Sequence, residues 1–291
     1  MEHLLQQILA GLATGCIYAC MALAVVMIYQ AIDHLNFAQG EMAMFSTFVA
    51  WQMLQWGLPF WAAFLLTVSL SFLGGVLIER VVFRPVRNAP VLSQVAVFIG
   101  LFSVFNSLAG FVWDFTIKPF PSPFGSAPVL GGLLSAHQLG MIAVTAGLLV
   151  LLYGFFRHTR LGLAMRAAAS NPASARLVGI RVGWMIALGW GMAAAIGAIA
   201  GMLIAPVVFL EPNMMTSILL YGFAGAVLGG LDSPAGAVAG GLILGVLENL
   251  AGTYIPVVGS DLKLTIALVA IMVVLIARPG GLFGRVTMER V

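Results

Sequence analysis

Charged residues are scarce in this sequence of 291 residues, and their scarcity excludes a soluble fold. Asp, Glu, Lys and Arg make up 8% of the chain, whereas hydrophobic residues make up 62%. Soluble domains typically carry about 25% charged residues. Because a membrane-spanning helix needs about 20 apolar residues, we expect an all-α polytopic membrane protein with roughly eight to ten transmembrane helices. Residues 1–291 would then form a single transmembrane domain.

Lysine is nearly absent, and this excludes the phosphate-binding loop G-x-x-x-x-G-K-[ST]. The only lysines are Lys118 and Lys263, and neither follows the required glycine pattern. The HExxH and CxxC metal spacings and the GxSxG elbow are also missing, and no convincing nucleophile–base pair is present. The sequence therefore predicts a chain that is not an enzyme, with no catalytic residues, no metal ligands and no bound cofactor.

Cysteines are too few for a disulfide framework. Cys16 and Cys20 lie four residues apart in one apolar run, so one helix face would carry both, and we expect them to pack as small apolar residues. The net charge of +3 is small, and the basic residues lie in short loops between apolar runs. A nucleic-acid partner is therefore not expected.

Nine apolar segments account for most of the chain and predict helices. Their approximate bounds are 4–29, 42–56, 60–78, 91–113, 138–156, 183–210, 216–231, 236–251 and 262–277. The second and seventh segments are short for a full crossing. The second segment follows the polar stretch 30–41, and the two together indicate a broken or re-entrant element near residues 30–56. Glycine pairs with GxxxG spacing, concentrated between residues 189 and 245, predict closely packed helices there.

The basic residues indicate the orientation of the chain. The arginines follow the third, fifth and ninth segments, whereas the two lysines lie in loops of the opposite parity. Because basic residues in short loops stay in the cytoplasm, we expect a cytoplasmic C-terminus and an external segment 114–137. Nine crossings would place the N-terminus outside, and a re-entrant element near residues 30–56 would reverse that side.

The longest cytoplasmic loop, about 157–183, has the composition of two short helices. Leu161 to Ala169 is rich in residues that favour helix, and Asn171-Pro172 then combines a preferred N-cap with a preferred first helical residue. Gly179 would end the second helix. Small side chains and terminal arginines suit a knob that docks on a soluble partner. The same pattern fits, about equally well, an amphipathic loop that lies on anionic lipid headgroups.

Polar residues interrupt the apolar pattern at three further places. The stretch from Asp33 to Glu41 is either an ordinary polar loop, with Glu41 compensating a helix dipole, or an interrupted helix that lines a translocation cavity. Glu248-Asn249 lies inside the eighth segment, where a carboxylate serves the pathway or pairs with another helix. Stretch 229–236 predicts a tight cytoplasmic turn in which Asp232 caps the next helix.

Four motifs resemble a known family of permeases. Asn36-Phe37-Ala38-Gln39-Gly40-Glu41 resembles the NFAHGE-like signature of permeases in branched-chain amino acid ABC importers. The loop 159–180, the stretch 229–237 and the ending 278–284 also match that family's pattern, in the expected order. The short length, with no long N-terminal extension, resembles the H-type permease rather than its M-type partner.

The resemblance implies the transmembrane permease subunit of an ATP-binding cassette importer in the bacterial inner membrane, carrying Leu, Ile, Val or other small hydrophobic amino acids. Its implied partners are a second homologous permease, two cytoplasmic ATPases that use ATP and Mg, a periplasmic binding protein and the lipid bilayer. Gln39 stands where many relatives carry His, so urea, short amides and other small solutes stay open as substrates. The competing class is an ion-coupled secondary transporter, for which only Glu248 clearly offers an intramembrane site.

The motifs also assign candidate residues. The resemblance implies that the ATPase-coupling residues are Arg160, Leu161, Met165, Arg166, Ala167, Ala168, Ala169, Asn171, Pro172, Ala175, Arg176 and Gly179. The candidates for the translocation path are Asn36, Gln39, Gly40, Glu41, Glu248 and Asn249.

Overall fold

The computed structural model describes residues 2–255, 262–278 and 280–284, and most of these residues are helical. A short antiparallel hairpin pairs Pro128–Val129 (β1) with Leu134–Ser135 (β2). The helices are α1 (Glu2–Ile32), α2 (Gln39–Gln55), α3 (Phe60–Ile78), α4 (Arg84–Val86), α5 (Val91–Trp113), α6 (Ala136–His158), α7 (Arg160–Ser170), α8 (Pro172–Leu177), α9 (Val182–Val208), α10 (Met214–Gly229), α11 (Pro234–Tyr254) and α12 (Lys263–Ala277). This architecture confirms the all-α polytopic class predicted from composition.

Each of the nine apolar segments corresponds to one helix. Among the described residues, six helical stretches are long and apolar enough to cross a membrane. They are His3–Ile32, Phe60–Val86, Val91–Trp113, Ala136–His158, Val182–Val208 and Pro234–Tyr254. Helices α10 and α12 are shorter apolar helices, and α2 has 17 residues. The second and seventh segments are therefore short in the structure, as predicted.

The interruption near residues 30–56 is a non-helical stretch, 33–38, between α1 and α2. Asp33 ends α1 with a φ of +59°, a left-handed conformation that a short polar residue tolerates better than a branched one. The Asn36 Oδ1 then accepts a hydrogen bond from the Ala38 N–H at 3.0 Å. This local side-chain bond turns the backbone into the first residue of α2.

The chain forms two compact units. Residues 1–26, 122–145 and 217–291 form the first unit, and residues 27–121 and 146–216 form the second. The sequence predicts one transmembrane domain over residues 1–291. The division into two compact units does not test that prediction, which stays a prediction.

Glycines in the first unit allow α1 and α11 to touch through their backbones. A Cβ placed on Gly11 would lie 2.8 Å from the Val246 Cα, and one on Gly241 would lie 2.5 Å from the Ala19 nitrogen. Any larger side chain would push these helices apart. Inside the bilayer no water is released when apolar helices meet, so the hydrophobic effect does not drive their association. Close van der Waals contact between backbones is therefore a main source of helix association there.

The turn between α10 and α11 packs against the C-terminal segment of the first unit. The Phe283 N–H donates to the Gly229 carbonyl at 3.0 Å, and the Leu282 N–H donates to the Leu228 carbonyl at 2.8 Å. The motifs at 229–237 and 278–284 therefore form one structural contact, although about 50 residues of chain separate them.

The residue that caps α11 differs from the predicted one. The Ser233 Oγ accepts a hydrogen bond from the Gly236 N–H at 3.0 Å, which is the N-cap geometry. Pro234 is the first helical residue, so Ser233, and not Asp232, occupies the cap position.

Helix α9 packs against α2 and α3 in the second unit. A Cβ on Gly75 of α3 would lie 2.6 Å from the Trp190 carbonyl, and one on Gly201 of α9 would lie 3.0 Å from the Ala43 carbonyl. Helix α3 continues through a π-helical turn, Glu79–Phe83, into α4. Arg80, which the segment boundaries assigned to a loop, is therefore helical.

Candidate functional site

The segment between α6 and α9 folds into the two predicted short helices, α7 and α8. The Thr159 Oγ1 caps α7 by accepting from the Gly162 N–H at 2.9 Å. The Asn171 Oδ1 caps α8 by accepting from the Ser174 N–H at 2.9 Å. Each helix start therefore satisfies one of its free backbone amides through its own side chain. Gly179, with a φ of +84°, follows the end of α8.

The candidate coupling residues divide into a buried set and an exposed set. Met165, Ala168 and Ala175 are buried, and Met165 and Ala168 line a cavity of about 60 Å³ together with residues of α9. These side chains hold the loop against its own unit. Ala167 is half-buried. The exposed candidates are Arg160, Leu161, Arg166, Ala169, Asn171, Pro172, Arg176 and Gly179.

The end of α8 exposes apolar surface beside a cation. Leu177 is 88% exposed and Val178 is 76% exposed, and the preceding residue, Arg176, is also exposed. Two aliphatic side chains next to a guanidinium give a small surface that can bury apolar area and pair with a carboxylate at once. Leu177 lies within the loop 159–180 that matches the family pattern, but the sequence did not single it out as a site residue.

The second candidate site is the start of α2. Asn36, Gln39 and Glu41 are all buried, so this stretch is not a solvated loop. The Gln39 Nε2 donates to the Ala193 carbonyl of α9 at 2.9 Å. Gly40 is buried beside them.

The start of α2 lies near the middle of α9. Ala193 is 11 residues beyond the first residue of α9, which is about 17 Å along a helix of about 40 Å at 1.5 Å per residue. A helix that begins at mid-depth leaves its first amides and its polar side chains inside the apolar layer. Such interrupted helices are typical of the substrate sites of transporters.

Glu41 connects this cluster to Asn106 of α5, and Asn106 in turn contacts the two residues just before α10. Its Oε2 accepts from the Asn106 Nδ2 at 3.3 Å. The same Nδ2 lies 3.0 Å from the Pro212 carbonyl and 3.1 Å from the Asn213 Oδ1. Sequence reasoning missed Asn106 and Asn213. The signal that could have found Asn106 is an amide inside the apolar segment 91–113, since polar residues within spans are costly and face protein or water.

A cavity of about 210 Å³ lies among α2, α3, α5 and α9 in the second unit. Its lining is mostly apolar, and it includes one pair of hydroxyl groups, in which the Ser71 Oγ donates to the Ser46 Oγ at 2.8 Å. The apolar lining includes Met42, Phe45, Val49, Leu70, Ile78 and Phe105.

Glu248 and Asn249 belong to the other unit, and their polar atoms are paired there. The Tyr18 hydroxyl donates to the Glu248 Oε2 at 2.6 Å, and the Lys263 Nζ lies 4.0 Å from the Oε1. The Asn249 Nδ2 donates to the Gln7 carbonyl at 2.6 Å. These bonds tie α11 to α1 and α12. The structure thus brings Asn36, Gln39, Gly40 and Glu41 together and places the other two candidates in a separate cluster.

Metal ligands were not expected from the sequence. Among the residues that the structure describes, no group of three His, Cys, Asp or Glu side chains could hold a metal ion.

Comparison with known proteins identifies relatives over nearly the whole chain. The family described as branched-chain amino acid transport system / permease component matches residues 7–277. The chain is 31% identical to the high-affinity branched-chain amino acid transport system permease protein LivH of Salmonella typhimurium, over 99% of this chain and 98% of that protein. It is 32% identical, with the same coverage, to the corresponding protein BraD of Pseudomonas aeruginosa.

A solved structure is similar at a lower level. PsaBC from Streptococcus pneumoniae in complex with Fab contains a chain that aligns with a TM-score of 0.49 and 12% identity, over 91% of this chain and 89% of that one.

Proposed function

This chain belongs to the family of branched-chain amino acid transport permease components, and from that premise we propose that it is the transmembrane permease subunit of an ATP-binding cassette importer. Its substrates are branched-chain or other small hydrophobic amino acids. ATP and Mg are used by partner ATPases, because the chain has no phosphate-binding loop of its own. The chain itself moves the substrate across the membrane and catalyses no reaction.

The proposed assembly has four kinds of partner. A second homologous permease completes the pore, two cytoplasmic ATPases drive it, a periplasmic binding protein delivers the amino acid, and the bilayer surrounds the chain. The protein resides in the bacterial inner membrane with its C-terminus in the cytoplasm, since its arginines cluster in loops of one parity.

The observation that carries the proposal is the capped helix pair α7–α8. Its buried alanines hold it against its own unit, while Arg176, Leu177 and Val178 stay exposed. A rigid helix pair with an exposed aliphatic end can transmit a movement of the ATPase to α9, the next helix in the chain. Helix α9 in turn contacts the start of α2. The start of α2, from Asn36 to Glu41, is the proposed part of the translocation path.

The decisive experiment is reconstitution. The chain should co-purify with an ABC ATPase subunit, and proteoliposomes of the whole complex should take up leucine when ATP is present and the binding protein is added. Uptake driven by an ion gradient in the absence of ATP would instead establish an ion-coupled secondary transporter.

A matched pair of variants tests the docking surface, and it is the first prediction. We expect Leu177→Asp to reduce co-purification of the ATPase at least about tenfold, because a charge replaces an apolar contact at the proposed interface. Leu177→Met keeps the apolar surface and should retain the ATPase. Both variants should fold, since residue 177 is exposed. The opposite outcome has two parts: the Leu177→Asp variant binds the ATPase normally, and a protease cleaves its α7–α8 segment faster in membranes than that of the wild type. This outcome would show that the segment lies on lipid headgroups.

A further inference from the structure

Two side-chain acceptors at the start of α2 have no donor. The Gln39 Oε1 and the Glu41 Oε1 are buried and have no hydrogen-bond partner within the described part of the chain. Gln39 is 0% exposed and Glu41 is 1% exposed. Buried acceptors without partners are rare in folded proteins and are costly, especially when one of them is a carboxylate.

Asn106 does not correct this imbalance. Its Nδ2 carries two hydrogens, yet it faces three acceptors: the Glu41 Oε2, the Pro212 carbonyl and the Asn213 Oδ1. No lysine or arginine forms an ion pair with Glu41 among the described residues. The cluster therefore has places for further donors and for a positive charge. An ammonium group supplies both, since it has three donors and no acceptor.

The apolar cavity lies along the part of α2 that follows this cluster. Phe45, which lines the cavity, is one helical turn beyond Glu41, so the two side chains share a face of α2. Two further lining residues, Met42 and Phe105, are the chain neighbours of Glu41 and Asn106. Apolar cavities of about 150 Å³ are known to bind a molecule the size of benzene. A cavity of about 210 Å³ therefore has room for a branched aliphatic side chain.

We propose that this is one composite site for an amino acid, in which Glu41 binds the ammonium group and the cavity along α2 holds the aliphatic side chain. This inference rests on the proposed function and deepens it. It selects solutes that carry a cationic amino group over urea, short amides and carboxylic acids without one. Asn106 is the positioning residue, because it holds the Glu41 Oε2 and leaves the Oε1 free for the ligand.

The test measures binding to the permease–ATPase complex without the binding protein. The probes are radiolabelled leucine and its 2-hydroxy analogue, which has the same side chain and carboxylate but no ammonium group. We expect leucine to bind at least about tenfold more tightly than the analogue, because only leucine brings a positive charge to the free Glu41 oxygen. Failure of wild-type complex to bind leucine, or equal affinity for the two probes, would overturn the inference.

Two carboxylate variants provide a matched comparison. Glu41→Gln keeps an oxygen for Asn106 but removes the negative charge, so leucine affinity should fall to that of the analogue while the affinity of the analogue hardly changes. Glu79→Gln is the control, because Glu79 is an equally buried carboxylate of the same unit that lies outside the proposed site. It should keep the wild-type preference for leucine. The same loss in both variants would overturn the specific role of Glu41.

A third variant tests the cavity. Val49→Phe fills part of the space, so leucine binding should weaken while glycine, which needs only the ammonium site, binds as before. Unchanged leucine binding would show that the cavity holds something else, such as a lipid chain, and would overturn the composite site. ATP-driven leucine uptake and ATPase co-purification of the wild-type complex are measured on the same preparations. If these succeed and Glu41→Gln still binds leucine normally, only the site inference fails and the importer assignment stands.

Discussion

Among the described residues, Glu41 and Glu79 are buried carboxylates and Glu248 is a half-buried one, and their surroundings differ. Glu248 has a hydrogen bond from Tyr18 and a nearby lysine, Lys263. Glu79 lies on the π-helical turn, and burial lowers the pKa of the neighbouring Arg87 guanidinium while the Glu79 carboxylate opposes that shift. Glu41 has an amide partner only, Asn106. Both oxygens of Glu79 are buried without a hydrogen-bond partner, but arginine charges act on this carboxylate. Glu41 differs from Glu248 and Glu79 because the described residues place no cation beside it, and we infer that it is available to a ligand.

The paired state of Glu248 gives a prediction for stability. Tyr18→Phe removes one hydroxyl and leaves the carboxylate without its short hydrogen bond, so we expect the free energy of unfolding to fall by about 1–2 kcal/mol. Lys263→Met should cost less than about 1 kcal/mol, because the lysine is partly exposed and 4.0 Å away. Chemical unfolding of the purified protein in detergent measures both. A larger loss for Lys263→Met than for Tyr18→Phe would contradict a structural role based on the tyrosine.

At the level of the helices, close packing in the first unit depends on glycine. Gly241→Ala places a methyl group 2.5 Å from the Ala19 nitrogen, so α1 and α11 must separate, and we expect a loss of about 1–3 kcal/mol. Gly147→Ala is the matched control, because this glycine of α6 has nothing within 4 Å of the added carbon. It should be neutral or slightly stabilising, since alanine favours a helix more than glycine does. Thermal unfolding in detergent compares them, and equal midpoints would rule out the packing argument.

The helices could be predicted from the sequence because their signals are local. The third and fourth apolar segments, 60–78 and 91–113, coincide with α3 and α5, and Asn171-Pro172 marked the start of α8 through its own cap. The missed contacts involve partners that are distant in sequence. Asn106 meets Glu41 across 65 residues, and no pattern within either segment indicates that contact. The cap of α11 was predicted at Asp232 and lies at Ser233, which is an error of one residue at a helix end.

The π-helical turn shows a different limit of sequence reasoning. An arginine-rich stretch after an apolar run reads as the end of a helix, yet here the helix continues through Glu79–Phe83. Aromatic packing offsets the polar residues, because Phe83 lies 5.4 Å from Trp190 and 5.5 Å from Phe98 between ring centroids. Both partners come from other helices, so the extension of α3 depends on tertiary contacts. Single π-helical turns are frequent at functional sites, and Ile78, the residue before this turn, lines the cavity among α2, α3, α5 and α9.

For the whole molecule, the side of the membrane on which the N-terminus lies is predicted by combining the arginine distribution with contacts within the first unit. Helix α11 begins after the turn at 229–236, for which the arginine distribution predicts the cytoplasmic side, so we expect its end at Tyr254 to lie outside. The His3 Nδ1 is 3.4 Å from the Tyr254 hydroxyl, and the Asn249 Nδ2 is bonded to Gln7. The start of α1 therefore lies beside the end of α11, and we expect both on the external side. This prediction requires that stretch 33–38 and α2 together complete the second crossing, and it places the C-terminus in the cytoplasm.

This orientation is tested with single cysteines and a membrane-impermeant thiol reagent applied to intact spheroplasts. We expect external labelling of cysteines that replace His3 and Ser126, and labelling of those that replace Arg84 and Arg166 only after the membrane is opened. All four positions are exposed. The natural thiols are a built-in control: Cys16 and Cys20 are buried, so the unmodified chain should stay unlabelled under both conditions. External labelling at position 166 would reverse the orientation and place the proposed docking loop out of reach of any cytoplasmic ATPase. Labelling at position 3 only from the inside would instead leave the docking loop in place and show that stretch 33–38 and α2 do not complete a crossing.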